Sequence, residues 1–423
     1  MDPLKLLICA YACNPAYGSE EAVGWQWIRC LAQDHDVAVV TASFNREDIE
    51  QAMGSSRHPR FIYVEPRWWD YRPIPIWKHI EASLFKPIMN LAYVLWQRRA
   101  ARTAHVLMSN EDFDLIHQLT YVGYRFPGRL WKLGLPFVWG PIGGLENTPW
   151  NLLPALGFRG GIYYAGRNLI NSVQRRYLKS PRQALRAAGP GVIAATSGIS
   201  RGLRVVYGVE STVISEVIVP DGWIRSASRA REAGQPLRLV WSGLHLPGKA
   251  LNLLLWALAR IPSRVDWTLD ILGDGPERMH WQSLANQIKI APRCCWHGKL
   301  TRPRALEVMS EAHLLVISSL KDLTSTVLLE GLALGLPVVC PDHCGFSDAV
   351  TDACGIKVPP TDLETLVSGF SRAIQEIEAN EPRRKQMSSA ASERARDYTW
   401  DIRKGQLDRI YQSTIEWHSH RRP

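Results

Sequence analysis

The 423-residue chain is 46% hydrophobic and 21% charged, with no low-complexity tract or visible internal repeat, which excludes a disordered, fibrous or repeat protein. It exceeds what one hydrophobic core ordinarily supports, so two domains of roughly 200 residues are expected. A formal net charge of +10 comes with no recognisable nucleic-acid module, so nucleic acid is not an expected partner.

The first apolar run, 4–10, is too short to cross a bilayer and lacks a small-residue cleavage site, so no secretion signal is expected. Eight cysteines without regular spacing read as reduced thiols of a cytoplasmic protein. Strand-length runs follow at 5–10, 36–41, 61–64, 115–118 and 136–140, and a second series at 237–241, 267–273, 295–297, 314–318 and 337–340. Helix-compatible sequence separates them, which predicts an α/β fold with two parallel sheets, each covered by helices. Between the series, 217–238 contains Pro220-Asp221-Gly222 and a polar, charged tail suited to a hinge. The boundary is placed near residue 224, giving domains 1–223 and 224–423, with the last helix free to pack back on the first domain. Ligands of open α/β sheets bind at the carboxyl ends of strands, so two facing sheets make one cleft.

Three loops have the chemistry for such a cleft. After the first strand, Gly18 and Ser19 precede a helix, where free backbone N–H groups and the helix dipole favour an anion; a plain N-cap is the competing reading. After the strand 237–241 runs Ser242-Gly243-Leu244-His245-Leu246-Pro247-Gly248-Lys249, whose lysine supplies a point charge beside the next helix, or else is a solvated loop residue. The third, 318–337, holds Asp322, a capping run Thr324-Ser325-Thr326, and Glu330 within the apolar sequence Val327-Leu328-Leu329-Glu330-Gly331-Leu332. A carboxylate there is costly unless it has a partner.

These residues resemble glycosyltransferase family 4, whose members are retaining enzymes of the GT-B fold, two Rossmann-like domains facing across a cleft. Asp322 and Glu330, separated by seven residues, are similar to that family's acidic pair, and Gly335-Leu-Pro-Val-Val continues as the family does. Leu272-Gly273-Asp274-Gly275-Pro276-Glu277 resembles its Gly-Asp-Gly-Pro loop. Pro141-Ile-Gly-Gly, with Gly18-Ser-Glu, is similar to a bacterial polysaccharide-type subgroup. The resemblance implies that Glu330 accepts from ribose hydroxyls of a nucleotide sugar and that Asp322, where the family usually has glutamate, contacts the transferred sugar. It implies that amides of Ser325, Thr326 and Val327 meet donor phosphates or sugar, and that Gly243 and Gly273 line the donor site. Lys249 would face the diphosphate. The family's arginine partner is replaced by Leu244, with His245 beside it as a substitute donor. His117 would lie near the donor sugar and acceptor; a satisfied histidine at a strand end is the alternative.

On this reading catalysis rests on positioning and on charge neutralisation of the departing nucleoside diphosphate, with no metal and no other cofactor. Asp34-His35-Asp36 matches an Asp-x-Asp metal motif only literally and reads as a turn. Cys340, His343 and Cys344 lack a fourth metal ligand. The positive charge is concentrated: 67–105 carries seven Lys/Arg against two acids and 158–186 seven against none. Both interleave cations with aromatic and aliphatic residues, which suits the anionic inner face of a cytoplasmic membrane. A lipid-linked glycan is the expected acceptor, in bacterial polysaccharide synthesis. The alternatives are a catalytically inactive homologue serving as a binding subunit and a GT-B-fold nucleotide-sugar epimerase.

Overall fold

A computed structural model of the chain describes residues 2–65, 82–225, 230–232 and 234–421. The first sheet comprises β1 (Lys5–Ala10), β2 (Asp36–Ala42), β3 (Arg60–Val64), β4 (Leu115–Thr120), β5 (Phe137–Ile142), β6 (Val192–Ala194) and β7 (Thr212–Val213). Its strands are parallel, in the order β3-β2-β1-β4-β5-β6-β7. The second comprises β8 (Leu237–Ser242), β9 (Trp267–Leu272), β10 (Cys294–Gly298), β11 (Leu314–Val316), β12 (Val338–Pro341) and β13 (Gly355–Val358). It too is parallel, ordered β10-β9-β8-β11-β12-β13. Parallel strands lie under helices on both faces, and so β1, β4 and β5 are buried almost end to end.

The first sheet is covered by α1 (Glu20–Leu31), α2 (Arg46–Met53), α3 (Ala82–Asn110), α4 (Gly157–Tyr177), α5 (Lys179–Ala188) and α6 (Ser197–Tyr207). Around the second lie α7 (Leu251–Ala259), α8 (Arg278–Gln287), α9 (Arg302–Ser310), α10 (Thr326–Ala333), α11 (Phe346–Ala349), α12 (Leu363–Ala379) and α13 (Glu381–Arg396). A long α14 (Trp400–Ser419) closes the described chain. Strand order reverses between β1 and β4 in one sheet and between β8 and β11 in the other. Crevices for ligands open at such reversals, beyond the carboxyl ends of the strands. The loops after β1, β8 and β11 are the three singled out by their sequence.

Two segments cross between the halves. The turn Trp150–Leu156 and the start of α4 bury Leu152, Leu153, Leu156 and Tyr164 in the apolar cluster built on β8 and α7. Asn252 Nδ2 donates to the Ala155 carbonyl at 2.8 Å. In the opposite direction, α14 packs Trp400, Leu407, Ile410 and Tyr411 against β1 and α1. Asp34 pairs with Lys404, and His35 faces Asp408 at 3.7 Å, so this turn anchors the last helix. The linker is not simply polar: Val217 and Val219 are buried, and the Val219 amide donates to the Tyr398 carbonyl at 2.8 Å.

Candidate functional site

A cavity of about 880 Å³ opens between the two sheets. Its walls include Tyr17, Gly18, Ser19 and α1 on one side, and Trp223, Arg302, Thr326 and Glu330 on the other. That size accommodates a ligand of several hundred daltons. The three loops share one backbone feature. Ser19 before α1 (φ 60°), Ala250 before α7 (φ 48°) and Ser325 before α10 (φ 73°) all occupy positive φ without being glycine. Such conformations cost about 1–3 kcal/mol each and persist where surrounding structure imposes them, often at ligand sites. Neither Ser19 nor Ser325 caps its helix with its hydroxyl, so the plain-cap reading of Ser19 does not hold.

Glu330 is the buried carboxylate of α10. Arg302, at the start of α9, meets its Oε1 through Nε and through a terminal guanidinium nitrogen, both at 2.8 Å. Both contacts fall on Oε1, so Oε2 takes no part in that pair. The guanidinium carbon lies 3.9 Å from the centroid of the Trp223 ring, which braces it. Burial pushes the Glu330 carboxyl above its usual range, and Arg302 opposes the rise. Thr326 lines the same cavity, whereas Val327 packs partly against the apolar cluster behind it.

Lys249 and Asp322 form a second group, outside the cavity walls. The ammonium lies 2.5 Å from Asp322 Oδ2, while Oδ1 accepts from the Leu323 amide at 3.0 Å. The loops are tied together at their base: Ser318 Oγ donates to the Lys249 carbonyl at 2.9 Å and accepts from Trp241 Nε1 at 3.0 Å. Gly243 and Gly273 meet backbone to backbone. Gly273 has φ 111°, and a Cβ there would fall 1.9 Å from the Gly243 carbonyl oxygen, so only glycine allows this approach. Leu244 is 63% exposed at the tip of this loop.

Two histidines must be reassigned. His245 is buried in a box of Trp241, Trp281 and Trp296, and no described residue hydrogen-bonds either ring nitrogen. Burial lowers its pKa, so it does not stand in for a fixed cation. Its backbone is what joins the site's scaffold, donating to the Asp274 carbonyl at 2.9 Å. His117 lies inside β4, not at its end, and is fully buried. Nδ1 meets the Tyr411 hydroxyl at 2.8 Å and Nε2 the Gly140 carbonyl at 2.9 Å, so neither nitrogen is left for a substrate. It is a structural residue holding α14 to the first sheet.

A pH test follows for His117. Burial lowers its pKa from 6.5 to about 4. Between those values the unfolded chain binds a proton that the folded protein refuses, so stability is lost as pH falls from 6.5 towards 4. Replacing His117 with glutamine is expected to flatten the pH dependence of unfolding in that window by up to about 1.4 kcal/mol per pH unit, the contribution of one proton. Denaturant titrations at several pH values would show it; equal slopes would refute the assignment.

Sequence reasoning missed Arg302 and Glu216. Only the cost of a buried Glu330 announced that some cation had to meet it, without saying which. Glu216, beside the linker, is buried and accepts from the Thr324 amide at 3.1 Å and hydroxyl at 2.8 Å, fixing the loop before α10 to the first domain. Nothing in the local sequence marks it. Glu20, next to Ser19, accepts from the Val122 amide at 2.6 Å, and burial raises its pKa to about 7. Among the described residues the only His/Cys/Asp/Glu group close enough to hold a metal is Asp270, Cys295 and His297. The Asp270 carboxylate already faces Arg238 at 2.6 Å and His297 at 2.7 Å, away from the cleft loops.

Residues 228–394 match the family model described as glycosyl transferases group 1. A lipopolysaccharide 1,6-galactosyltransferase of Escherichia coli is 28% identical over 189 residues, covering 43% of this chain and 52% of that protein. The chain thus spans about half the length of that curated relative. Among solved structures, sucrose-phosphate synthase from Thermosynechococcus elongatus superposes with a TM-score of 0.64 at 18% identity, covering 98% of this chain and all of that one. Anabaena HepE in complex with UDP does so at 0.59 and 14%, covering 97% and 100%. At those identities the likeness establishes the fold: the two-sheet GT-B arrangement extends over nearly the whole chain.

Proposed function

Because residues 228–394 match the family model of group 1 glycosyl transferases, we propose that the chain transfers a sugar from a nucleotide-sugar donor to an acceptor hydroxyl in the cleft between its sheets, with retention of configuration. The observation that carries this reading is the buried carboxylate of Glu330, held by Arg302 at the wall of a cavity whose opposite wall is the Gly18-Ser19 helix end. Oε2 of Glu330 is the acceptor for the donor's ribose hydroxyls. The amides heading α10, at Thr326 and Val327, face the donor's phosphates or sugar.

In the reaction the bond between the anomeric carbon and the phosphate oxygen breaks, and its electron pair leaves with the nucleoside diphosphate. Lys249 neutralises that charge after exchanging Asp322 for the diphosphate, and the helix ends add their dipoles. The acceptor oxygen bonds to the anomeric carbon on the face the leaving group vacates, and its proton passes to the departing phosphate oxygen on that same face. Asp322 positions the transferred sugar. We read the acceptor as a lipid-linked glycan of bacterial polysaccharide synthesis, reached from the cytoplasmic face of an anionic membrane.

Screening nucleotide sugars by thermal unfolding tests this, with UDP and UDP-glucose as first probes. A ligand at a hundred times its Kd stabilises by about 2.7 kcal/mol, an upward shift in Tm that is readily measured. Stabilisation by a donor that the protein also hydrolyses or transfers supports the reading. Stabilisation without turnover of any donor would favour an inactive binding subunit, and no response to any nucleotide would reject the donor site.

A further inference from the structure

We propose that α4 is the element that docks this protein on an anionic lipid surface, through an outward apolar stripe set among guanidinium groups. The inference rests on the membrane reading above and assigns it to one helix. Phe158, Ile162, Leu169, Val173 and Tyr177 recur at helical spacing and are all largely exposed, from 56% for Val173 to 84% for Phe158. Five large apolar side chains along one face are unusual on a free soluble surface.

The inner face of the same helix is already committed. Gly160 abuts Pro247, where a Cβ would lie 2.8 Å from the proline Cβ, and the Tyr164 ring is buried against Gly248. Asn168 bonds to both the amide and the carbonyl of Thr148, at 3.1 and 2.8 Å. The helix is therefore held rigidly with its stripe facing away from the protein.

Charge selects the occupant. Residues 157–186 contain seven Lys/Arg and no acid, and Arg159, Arg176, Lys179 and Arg186 are exposed. Two copies meeting through this face would bring like charges together, whereas an anionic bilayer satisfies both the apolar stripe and the cations. The other basic stretch does not compete on equal terms. Its Tyr93 and Trp96 are buried in the core of the first sheet, and residues 67–81 lie outside the described part of the chain. Docking through α4 also sets the Pro247–Lys249 loop, on the far side of that helix, close above the lipid, where a lipid-borne acceptor is presented.

The test is flotation of the full chain with vesicles of phosphatidylethanolamine and phosphatidylglycerol, against phosphatidylcholine alone. Wild type is expected to bind the anionic vesicles, more weakly at high salt. The triple variant Phe158→Ser, Ile162→Ser, Leu169→Ser should bind them at least tenfold more weakly, with an unchanged Tm because all three positions are exposed. Leu91→Ser with Val106→Ser, exposed apolar positions on α3, should bind as wild type. Equal binding by the triple variant would overturn the assignment to α4 while leaving the membrane reading in place through another surface. Failure of wild type to bind would reject both. A wild-type dimer that the triple variant dissolves, by light scattering, would instead assign the stripe to a second copy and overturn the proposal.

Discussion

Replacing Glu330 with glutamine is expected to weaken donor binding by about ten- to a hundred-fold while leaving the protein folded. The magnitude follows from the chemistry of the site. A hydrogen bond to a charged partner contributes about 1.5–3 kcal/mol, and each 1.4 kcal/mol is a factor of ten in affinity. Glutamine keeps the shape and one acceptor oxygen, so the cavity wall survives, but Arg302 loses its counter-charge and the ribose hydroxyls lose the stronger acceptor. Arg302 is itself half exposed and stacked on Trp223, so water compensates part of what it loses. The expected effect on stability is therefore smaller than that on ligand. Isothermal titration with UDP, beside a thermal melt, separates the two. A fall in Tm with unchanged nucleotide affinity would make Glu330 a structural partner of Arg302 and nothing more. The pH profile supplies a second check: because burial raises the Glu330 carboxyl, nucleotide binding should weaken on acidification sooner than for an ordinary glutamate. The glutamine variant should lack that limb.

Much of the architecture was legible because parallel sheets write themselves into sequence as buried apolar runs separated by helices. β1 and β8, fully committed to that pattern, were readable to within a residue. Strands β6, β7 and β13 were not anticipated. Two to four residues carry no period, and β6 follows a Gly-Pro-Gly turn that masks it. The exchange of segments between halves was also hidden. Leu152 and Tyr164 are apolar in a way that announces burial, but which of two cores they enter depends on the packing of α7, an element of the other half of the chain.

The site divides along the same line. Loops after β1, β8 and β11 were readable because glycine, serine and lysine at a strand-to-helix junction have local physical meaning. Partner choice was not, since Arg302 and Glu216 act on residues 28 and 108 positions distant. The two histidines show why residue type and approximate place are insufficient. β4 is buried on both faces, so alternation could not say where the His117 ring points. Nor could the sequence show that Trp241, Trp281 and Trp296 converge on His245.

Lys249 and Asp322 should respond to substitution in opposite senses for binding and in the same sense for turnover. The lysine spends its charge on Asp322 at 2.5 Å, so a diphosphate must displace that carboxylate to be neutralised. Asp322→Asn removes the competitor; UDP affinity is expected to hold or rise several-fold, whereas transfer falls because the sugar loses a positioning group. In Lys249→Ala both fall, the transfer rate by about 10²–10³, the scale of losing one charge-stabilising group from a preorganised site. The loss is placed at that scale because exposed Leu244 supplies no second cation to share the leaving group's charge. UDP titration and single-turnover transfer on the two variants read both quantities separately. Parallel loss of affinity in both would mean that Asp322 merely orients the lysine. Unchanged transfer in Lys249→Ala would remove the lysine from the mechanism, leaving the amides heading α10 as the anion-stabilising groups of the cleft.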